Sequence, residues 1–181
     1  MVPNARGQRG FSLTELLLTV AMGATLTAMA VPLTADITAS IKVGEAARLI
    51  ERELQDARLR AVSTNQRLRV RVNCPSTGFL RTVEVLGTTA DTAADRCLPT
   101  TYPFPPDDNL ITRPNYDGPV RTIPHETTAT TTTLEFQPDG TVQLIVAGVA
   151  QRITADQTIT ITRRSLSRVV RVNGAGRVKL D

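Results

Sequence analysis

Aromatic residues are scarce in this sequence of 181 residues, and tryptophan is absent. Phe and Tyr together make up 3% of the chain, so its core must be built from Val, Ile, Leu and Ala. The sequence has a single histidine, no Ser or Cys in a recognisable nucleophile setting and no glycine-rich phosphate loop. These absences argue against an enzyme, and they predict neither a cofactor nor a metal site.

Charge is missing from a long stretch near the N-terminus. A short basic leader ends at Gly10, and after Glu15 no charged residue occurs until Asp36. Residues 11–35 are therefore long enough to cross a bilayer, which requires about 20 mostly apolar residues. Glu15 is the exception, because a carboxylate inside a membrane helix costs about 2.5–3.5 kcal/mol at the bilayer centre. We therefore predict that Glu15 has a function and a partner.

Three interpretations of this N-terminal stretch compete. The first is a secretory signal peptide with Ala-Met-Ala at 28–30 as its cleavage site, and the second is a plain membrane anchor. The third is a leader cut between Gly10 and Phe11 that leaves the apolar helix on the mature protein. A signal peptide leaves Glu15 unexplained, and a plain anchor leaves both Glu15 and the Gly-Phe junction unexplained.

The sequence Gly-Phe-Ser-Leu-Thr-Glu at 10–15 resembles the type IV prepilin pattern, and Pro32 falls where pilins commonly carry a helix-kinking proline. The resemblance implies that a prepilin peptidase removes residues 1–10 and that Phe11 becomes the N-methylated first residue. The terminal amine of Phe11, with a reference pKa near 8, is then cationic. In a filament it can pair with Glu15 of a neighbouring subunit, which offsets two desolvation costs together. We expect Glu15 and Pro32 to serve filament assembly with other pilins or pseudopilins.

The basic leader also predicts the orientation of the chain. By the positive-inside rule, it places the rest of the protein across the membrane, as a single-pass protein of the bacterial inner membrane with a periplasmic head. Cys74 and Cys97 then lie in an oxidising compartment and are expected to form a disulfide. A metal site built from these two cysteines and His125 would have too few ligands.

The helix is predicted to continue beyond the membrane segment. Between residues 36 and 65, small and apolar residues recur at spacings of three, four, three and four, which predicts one apolar helix face. Its members are Ala47, Ile50, Leu54, Ala57 and Ala61. We expect the first half of the helix (11–35) to be the transmembrane and filament-core part. The second half belongs to a head that spans 36–181.

The head has the patterns of β-structure. Residues 67–72 alternate between basic and apolar side chains, as a half-buried strand with its basic residues facing solvent does. Its partner strand is expected at 79–86, and a pair of strands joined by a turn at 134–136 and 141–146. A further alternating strand is expected at 157–163, and a closing hairpin at 168–172 and 177–180. Residues 87–133 are rich in proline and threonine and predict a long loop with one short strand at most. Asp107 and Asp108 in this loop are interpreted as solvated rather than cation-binding.

The order of these elements resembles the GspH/FimT family, which includes minor pseudopilins of type II secretion systems and minor type IV pilins. The similarity rests on Leu-Gln-Asp-Ala-Arg-Leu-Arg-Ala-Val-Ser-Thr-Asn at 54–65, Leu-Glu-Phe-Gln-Pro-Asp-Gly at 134–140 and Gly-Arg-Val-Lys-Leu at 176–180. It implies an α+β, pilin-like fold with a long N-terminal helix packed on an antiparallel β-sheet head. Residues 87–133 contribute nothing to the resemblance.

The family resemblance implies two functions, and the basic C-terminal region bears on the choice. One is a structural subunit of the secretion pseudopilus, and the alternative is a FimT-type minor pilin that binds DNA. The candidate DNA-binding residues are Arg163, Arg164, Arg168, Arg171, Arg177 and Lys179. The segment 176–179 resembles a Gly-Arg-x-Arg motif with Lys in the last place, which keeps the charge but loses the bidentate fork. Two other interpretations of these residues are that arginines at alternate strand positions face solvent, or that they contact an acidic protein. We favour the solvated interpretation and the pseudopilin.

Overall fold

The computed structural model describes residues 11–104 and 117–181. The leader 1–10 with Gly10, and the acidic pair Asp107 and Asp108, lie outside the described residues. The chain forms two compact units, of which the first ends at Thr38 and the second is Ala39–Asp181.

The long helix α1 spans Leu13–Thr64. At its start the backbone N–H groups of Glu15 and Leu16 donate to the carbonyl of Ser12, and the carboxylate of Glu15 in the first turn interacts favourably with the helix dipole. At its end Asn65 adopts a left-handed conformation (φ 56°), and the N–H of Gln66 donates to the carbonyl of Ala61 at 3.2 Å. This is the Schellman arrangement, which satisfies carbonyls that the helix leaves unpaired.

The predicted apolar face of the helix is confirmed. Ala47, Ile50, Leu54, Ala57 and Ala61 are all 0% exposed and pack in the main hydrophobic core. The three alanines allow the helix backbone to approach the strands closely, while each large aliphatic side chain contributes about 1.5–3 kcal/mol by burial.

Within residues 11–104 and 117–181, ten strands, all antiparallel, form two sheets rather than one. They are β1 (Leu68–Val72), β2 (Phe79–Glu84), β3 (Arg121–Thr122), β4 (Thr128–Ala129), β5 (Thr133–Phe136), β6 (Val142–Val146), β7 (Val149–Arg152), β8 (Gln157–Arg163), β9 (Leu166–Val172) and β10 (Val178–Leu180). The six-stranded sheet has the order β3-β2-β1-β5-β6-β7, and the four-stranded sheet has the order β10-β9-β8-β4. The α+β fold with a long N-terminal helix on an antiparallel head is confirmed.

Side chains from both sheets enter the core beside α1. Val70 and Leu134 of the six-stranded sheet and Ile159 and Val170 of the four-stranded sheet are each 0% exposed. The core therefore lies between the second half of the helix and one face of each sheet.

The segment 87–133 departs from the single loop that its composition predicts. A 3₁₀ turn occupies Thr89–Thr92, and the segment contains two short strands, β3 and β4. These strands pair with different sheets, β3 with β2 and β4 with β8. The prediction of at most one short strand was wrong, because the strands are only two residues long and carry no visible alternation.

The second face of the six-stranded sheet is covered over β1 and β2 rather than open to solvent. Arg69 is buried, and its Nε donates to Glu135 Oε2 at 2.6 Å while its Nη1 donates to the carbonyl of Asp91 at 3.0 Å. Arg71 is half-buried and donates to the carbonyl of Ala93 at 3.5 Å. The prediction that the basic side chains of β1 face solvent was therefore wrong, because the chain after β2 folds back over them.

Two further arginines, Arg81 and Arg96, are buried on this side of the sheet. We call these arginines, Arg69 and their hydrogen-bond partners the polar layer. Arg81 donates from Nε to the carbonyl of Gly118 at 2.7 Å and from Nη2 to the carbonyl of Tyr102 at 2.6 Å. Arg96 is paired with Asp117, and its guanidinium lies 4.4 Å from the ring centroid of Tyr102. Burial lowers the pKa of Arg81, Asp117 raises it in part, and Arg96 lowers it. The layer is thus a hydrogen-bonded second core made of charged side chains.

Candidate functional site

The N-terminal candidates lie at the start of α1. Phe11 is 79% exposed, and Glu15 is exposed on the first helical turn. Within the described residues no cation is paired with the Glu15 carboxylate. Ser12 and Glu15 have the spacing of a helix-start pattern, a signal that the sequence analysis did not use. The helix continues without a break through Pro32.

A further property of α1 is the hydropathy of its apolar run. Within residues 11–104 and 117–181, no helix combines the length and mean hydropathy that crossing a bilayer requires.

The expected disulfide is present in the head. Cys74 and Cys97 are bonded, with their Cα atoms 5.6 Å apart. Cys74 lies two residues after the end of β1, and Cys97 lies in the segment that covers the second face of the six-stranded sheet. The disulfide therefore ties the covering segment to the end of β1, the strand whose arginines that segment buries.

Three of the six basic candidates are brought together at one end of the four-stranded sheet. Lys179 of β10 lies directly opposite Arg171 of β9, and both are exposed. They line an open cavity of about 240 Å³ together with Arg177, Asn173 and Asp156. This grouping follows from the β9–β10 hairpin, in which alternate residues share one face.

Asp181 is paired with two of these three cations, Arg171 and Lys179. Its carboxylate is bonded to the Nε of Arg171, and Lys179 Nζ lies 3.1 Å from Asp181 Oδ1. The hydrogen bond from Arg171, followed by that from Lys179, holds the pKa of the Asp181 carboxyl below its usual range. Sequence reasoning listed the cations and missed this acid, although Asp181 stands two positions after Lys179 and so shares its strand face.

The other three basic candidates lie near the opposite end of β9. Arg163 is bonded to the carbonyl of His125 and pairs with Glu126 through Nη2 and Oε2 at 2.7 Å. Arg164 occupies the β8–β9 turn with a positive φ of 55°, and Arg168 is exposed. The six residues therefore form two groups rather than one continuous basic surface.

A larger cavity, of about 670 Å³, lies where the two sheets meet. It is lined by Gln143 and Arg152 of the six-stranded sheet and by Asn173 and Gly174 of the β9–β10 turn, among others. Elsewhere in the described part of the chain, no three His, Cys, Asp or Glu side chains come together in a way that could hold a metal ion.

Comparison of the sequence with known families identifies the family of the head. The sequence profile described as type II transport protein GspH matches residues 46–176, which is most of the head. The chain belongs to the GspH family. A second profile, the prokaryotic N-terminal methylation motif, matches residues 5–31.

Among solved structures, this GspH-family chain is similar to the type IV minor pilin FimU of Pseudomonas aeruginosa strain PAO1, crystallised in two forms. In the first form the identity is 19% and the TM-score is 0.49, with 80% of this chain and 92% of FimU covered. In the second form the identity is 20% and the TM-score is 0.46, with 76% and 91% covered. No curated protein sequence matches the chain.

Membership of the GspH family identifies the protein as pilin-like. Pilins are structural subunits, so the family is not an enzymatic one. Assembly with other pilin-like subunits and processing by a prepilin peptidase follow from the family and from the N-terminal methylation motif.

Proposed function

We propose that this protein is a minor pseudopilin, a structural subunit of the pseudopilus that a type II secretion system uses to move proteins across the outer membrane. The observation that carries the proposal is Glu15, which lies in the first turn of an otherwise uncharged helical stretch and within residues 5–31, the range that the methylation motif matches. The leader 1–10 is removed, and the helix 11–35 anchors the subunit in the inner membrane before assembly. The head is periplasmic, where the disulfide is stable.

Glu15 is the assembly residue in this proposal. Its side chain is exposed and has no described cation beside it, so its charge is available to another chain. Between subunits packed through their apolar helices, the carboxylate and the terminal amine of Phe11 are each costly to bury alone. When the two charges pair, their attraction offsets the free-energy cost of burying both. An alignment of neighbouring helices that leaves either charge unpaired is penalised, so the pair selects the axial offset between subunits.

The paired charges of the tail favour secretion over DNA binding. Asp181 is bonded to Arg171 and Lys179, and Glu126 is bonded to Arg163. Phosphates would have to displace these carboxylates before each cation could contribute fully to binding. The internal pairs thus support a strand face in solvent or against another subunit.

The alternative is a minor type IV pilin that binds DNA through the same region. It is supported by the cavity that Arg171, Arg177 and Lys179 share, because three cations at one end of a sheet can contact neighbouring phosphates. Arg177 strengthens this alternative, since no carboxylate in the described part of the chain is paired with its side chain.

The test is complementation of a deletion strain with three versions of the full chain. Wild type and Glu45→Ala should restore the release of secreted proteins, because Glu45 is an exposed helix residue that forms an ion pair with Lys42 one turn away on the same helix. Glu15→Ala should be processed normally and should fail to restore secretion. Loss of DNA uptake with intact secretion in the deletion strain would instead establish the pilus alternative.

A further inference from the structure

The outer edge of the six-stranded sheet is open. β7 pairs with β6 on one side only, and all four of its residues are exposed. Within the described residues, no hydrogen bond reaches the backbone of Val149–Arg152 from outside. Proteins normally cover such edges, shorten them or give them inward charges. In the described part of the chain, the other edge strands (β3, β4 and β10) follow that rule with two or three residues each, and β7 with four is longer.

The open edge is held in a fixed shape. Ala147 and Gly148 both have positive φ, 48° and 82°, as the two-residue type I′ turn of a hairpin requires. The turn packs on Thr92, whose Cγ2 would lie 3.0 Å from a Cβ added to Gly148. With this turn, Val149 bonds back to β6, so the N–H and C=O groups of Ala150 and Arg152 point outward.

A row of side chains across the sheet indicates what should lie beside β7. On the face away from α1, Arg69, Glu135, Gln143 and Arg152 stand opposite one another on β1, β5, β6 and β7. Arg69 is paired with Glu135, but Arg152 has no ionic partner among the described residues. Opposite charges on directly facing strand residues stabilise a sheet, so the position outside Arg152 fits a carboxylate.

The other face of the edge is apolar. Val149 is 63% exposed and stands opposite Val146, which is 44% exposed. A β-branched or other apolar residue placed beside Val149 would bury both side chains.

We propose that β7 accepts an extended segment of a partner protein as a seventh strand, with an acidic residue opposite Arg152 and an apolar residue opposite Val149. The two positions are three residues apart and lie on opposite faces of the added strand. Two copies of β7 paired with each other would bring no carboxylate to Arg152, which favours a different protein as the occupant. The proposal uses neither Glu15 nor the basic residues of the tail, and it does not depend on the choice between secretion and pilus.

The probe is a blocked seven-residue peptide of alternating Thr and Val that carries one Glu three positions before a Val. It is added to the isotopically labelled full chain in detergent micelles, and amide hydrogen exchange is followed residue by residue. Saturating peptide should lower the exchange rates of the Ala150 and Arg152 amides by about tenfold or more, while the exchange rate of the Gln151 amide should change little. Replacing the Glu of the peptide with Lys should weaken binding about two- to fivefold, which is the scale of one cross-strand charge pair.

Two controls isolate the backbone and charge contributions. Ala150→Pro removes an outward N–H without removing a bond to β6 and should abolish binding, whereas Ala150→Thr should retain it. Arg152→Glu should reverse the preference, so that the Lys peptide binds better. A peptide N-methylated at alternate nitrogens should not bind, and this result decides the matter if Ala150→Pro disturbs the hairpin.

Three outcomes would overturn the proposal. One is the absence of protection at Ala150 and Arg152 at millimolar peptide with the exchange pattern of β8 and β9 intact. Another is protection at a different sheet edge. The last is concentration-dependent protection of β7 in the free chain, which would assign the edge to a second copy.

Discussion

The guanidinium of Arg69 and the carboxylate of Glu135 form a buried ion pair, with Nε 2.6 Å from Oε2. The two residues face each other on β1 and β5, and their side chains are 10% and 1% exposed. Gln137 donates to the second oxygen of Glu135 at 2.9 Å, and Arg67 lies 3.6 Å from it. The Glu135 carboxylate therefore has Arg69, Arg67 and Gln137 around it, and its charge compensates the buried charge of Arg69.

Glu135→Gln should destabilise the head strongly. Removing one partner of a buried ion pair leaves the other charge uncompensated, which costs about 3–5 kcal/mol. The matched control is Glu45→Gln, because Glu45 pairs with Lys42 while their side chains are 51% and 40% exposed, and exposed pairs contribute about 0–1 kcal/mol. Urea unfolding of both variants measures the difference. Equal, small losses would show that Arg69 finds another acceptor or becomes hydrated.

The disulfide should contribute comparably to stability. Cys74 and Cys97 are separated by 23 positions, and closing a loop of that size stabilises a domain by about 3 kcal/mol on the chain-entropy model. The double variant with both residues changed to Ser should lose this amount, and wild-type protein unfolded in the presence of reductant should match it. Unchanged unfolding midpoints with and without reductant would contradict the assigned role.

Asp181 should titrate below the ordinary aspartate value near pH 3.9. Since the hydrogen bonds from Arg171 and Lys179 lower its pKa in the folded chain, their contribution to stability is present above the unfolded-state pKa. It is lost as the pH falls through the lowered folded-state value. In carboxyl NMR titrations, Arg171→Ala with Lys179→Ala should raise the pKa of Asp181. Asp139, whose pKa is lowered first by the side chain of Thr141, should be unaffected. A pKa of Asp181 that does not move would show that the pair is absent in solution.

Charge removal at Asp181 also tests the DNA alternative. The full chain should not shift duplex DNA at physiological salt. Asp181→Asn frees Arg171 and Lys179 and should raise any low-salt affinity more than Asp139→Asn, which makes the same change in net charge at a residue bonded to the uncharged Thr141. Strong wild-type binding, with a salt slope that falls by about two units in Arg177→Ala with Lys179→Ala, would support the DNA-binding pilin instead.

Local patterns in the sequence predicted much of this architecture. The apolar face from Ala47 to Ala61 is visible because helical periodicity is a property of the helix alone. The alternation at 67–72 correctly predicted β1, but it could not distinguish a solvated basic face from a buried one. That depends on the chain around Asp91 and Ala93 folding back, a contact between residues distant in sequence. β7 escaped prediction because four residues with one valine carry too little pattern.

The candidate site divides in the same way. Glu15 and its junction are contiguous in the sequence, so the motif alone predicts them, and their roles stay predictions. The cysteine pair was predicted from the expected compartment and is confirmed. The division of the tail into two groups depends instead on the register of β8, β9 and β10, and the partners of the arginines, Glu126 and Asp181, were not predicted.

The central claim is that the chain is processed as a prepilin, and the N-terminus of the membrane-extracted protein tests it most directly. Mass spectrometry should find a chain that begins at Phe11, with the mass of one added methyl group on that residue. A Gly10 substitution should leave the leader attached, whereas Glu15→Ala should still be cleaved. A terminus after Ala30, or an uncleaved wild-type chain in cells with an active prepilin peptidase, would contradict the account.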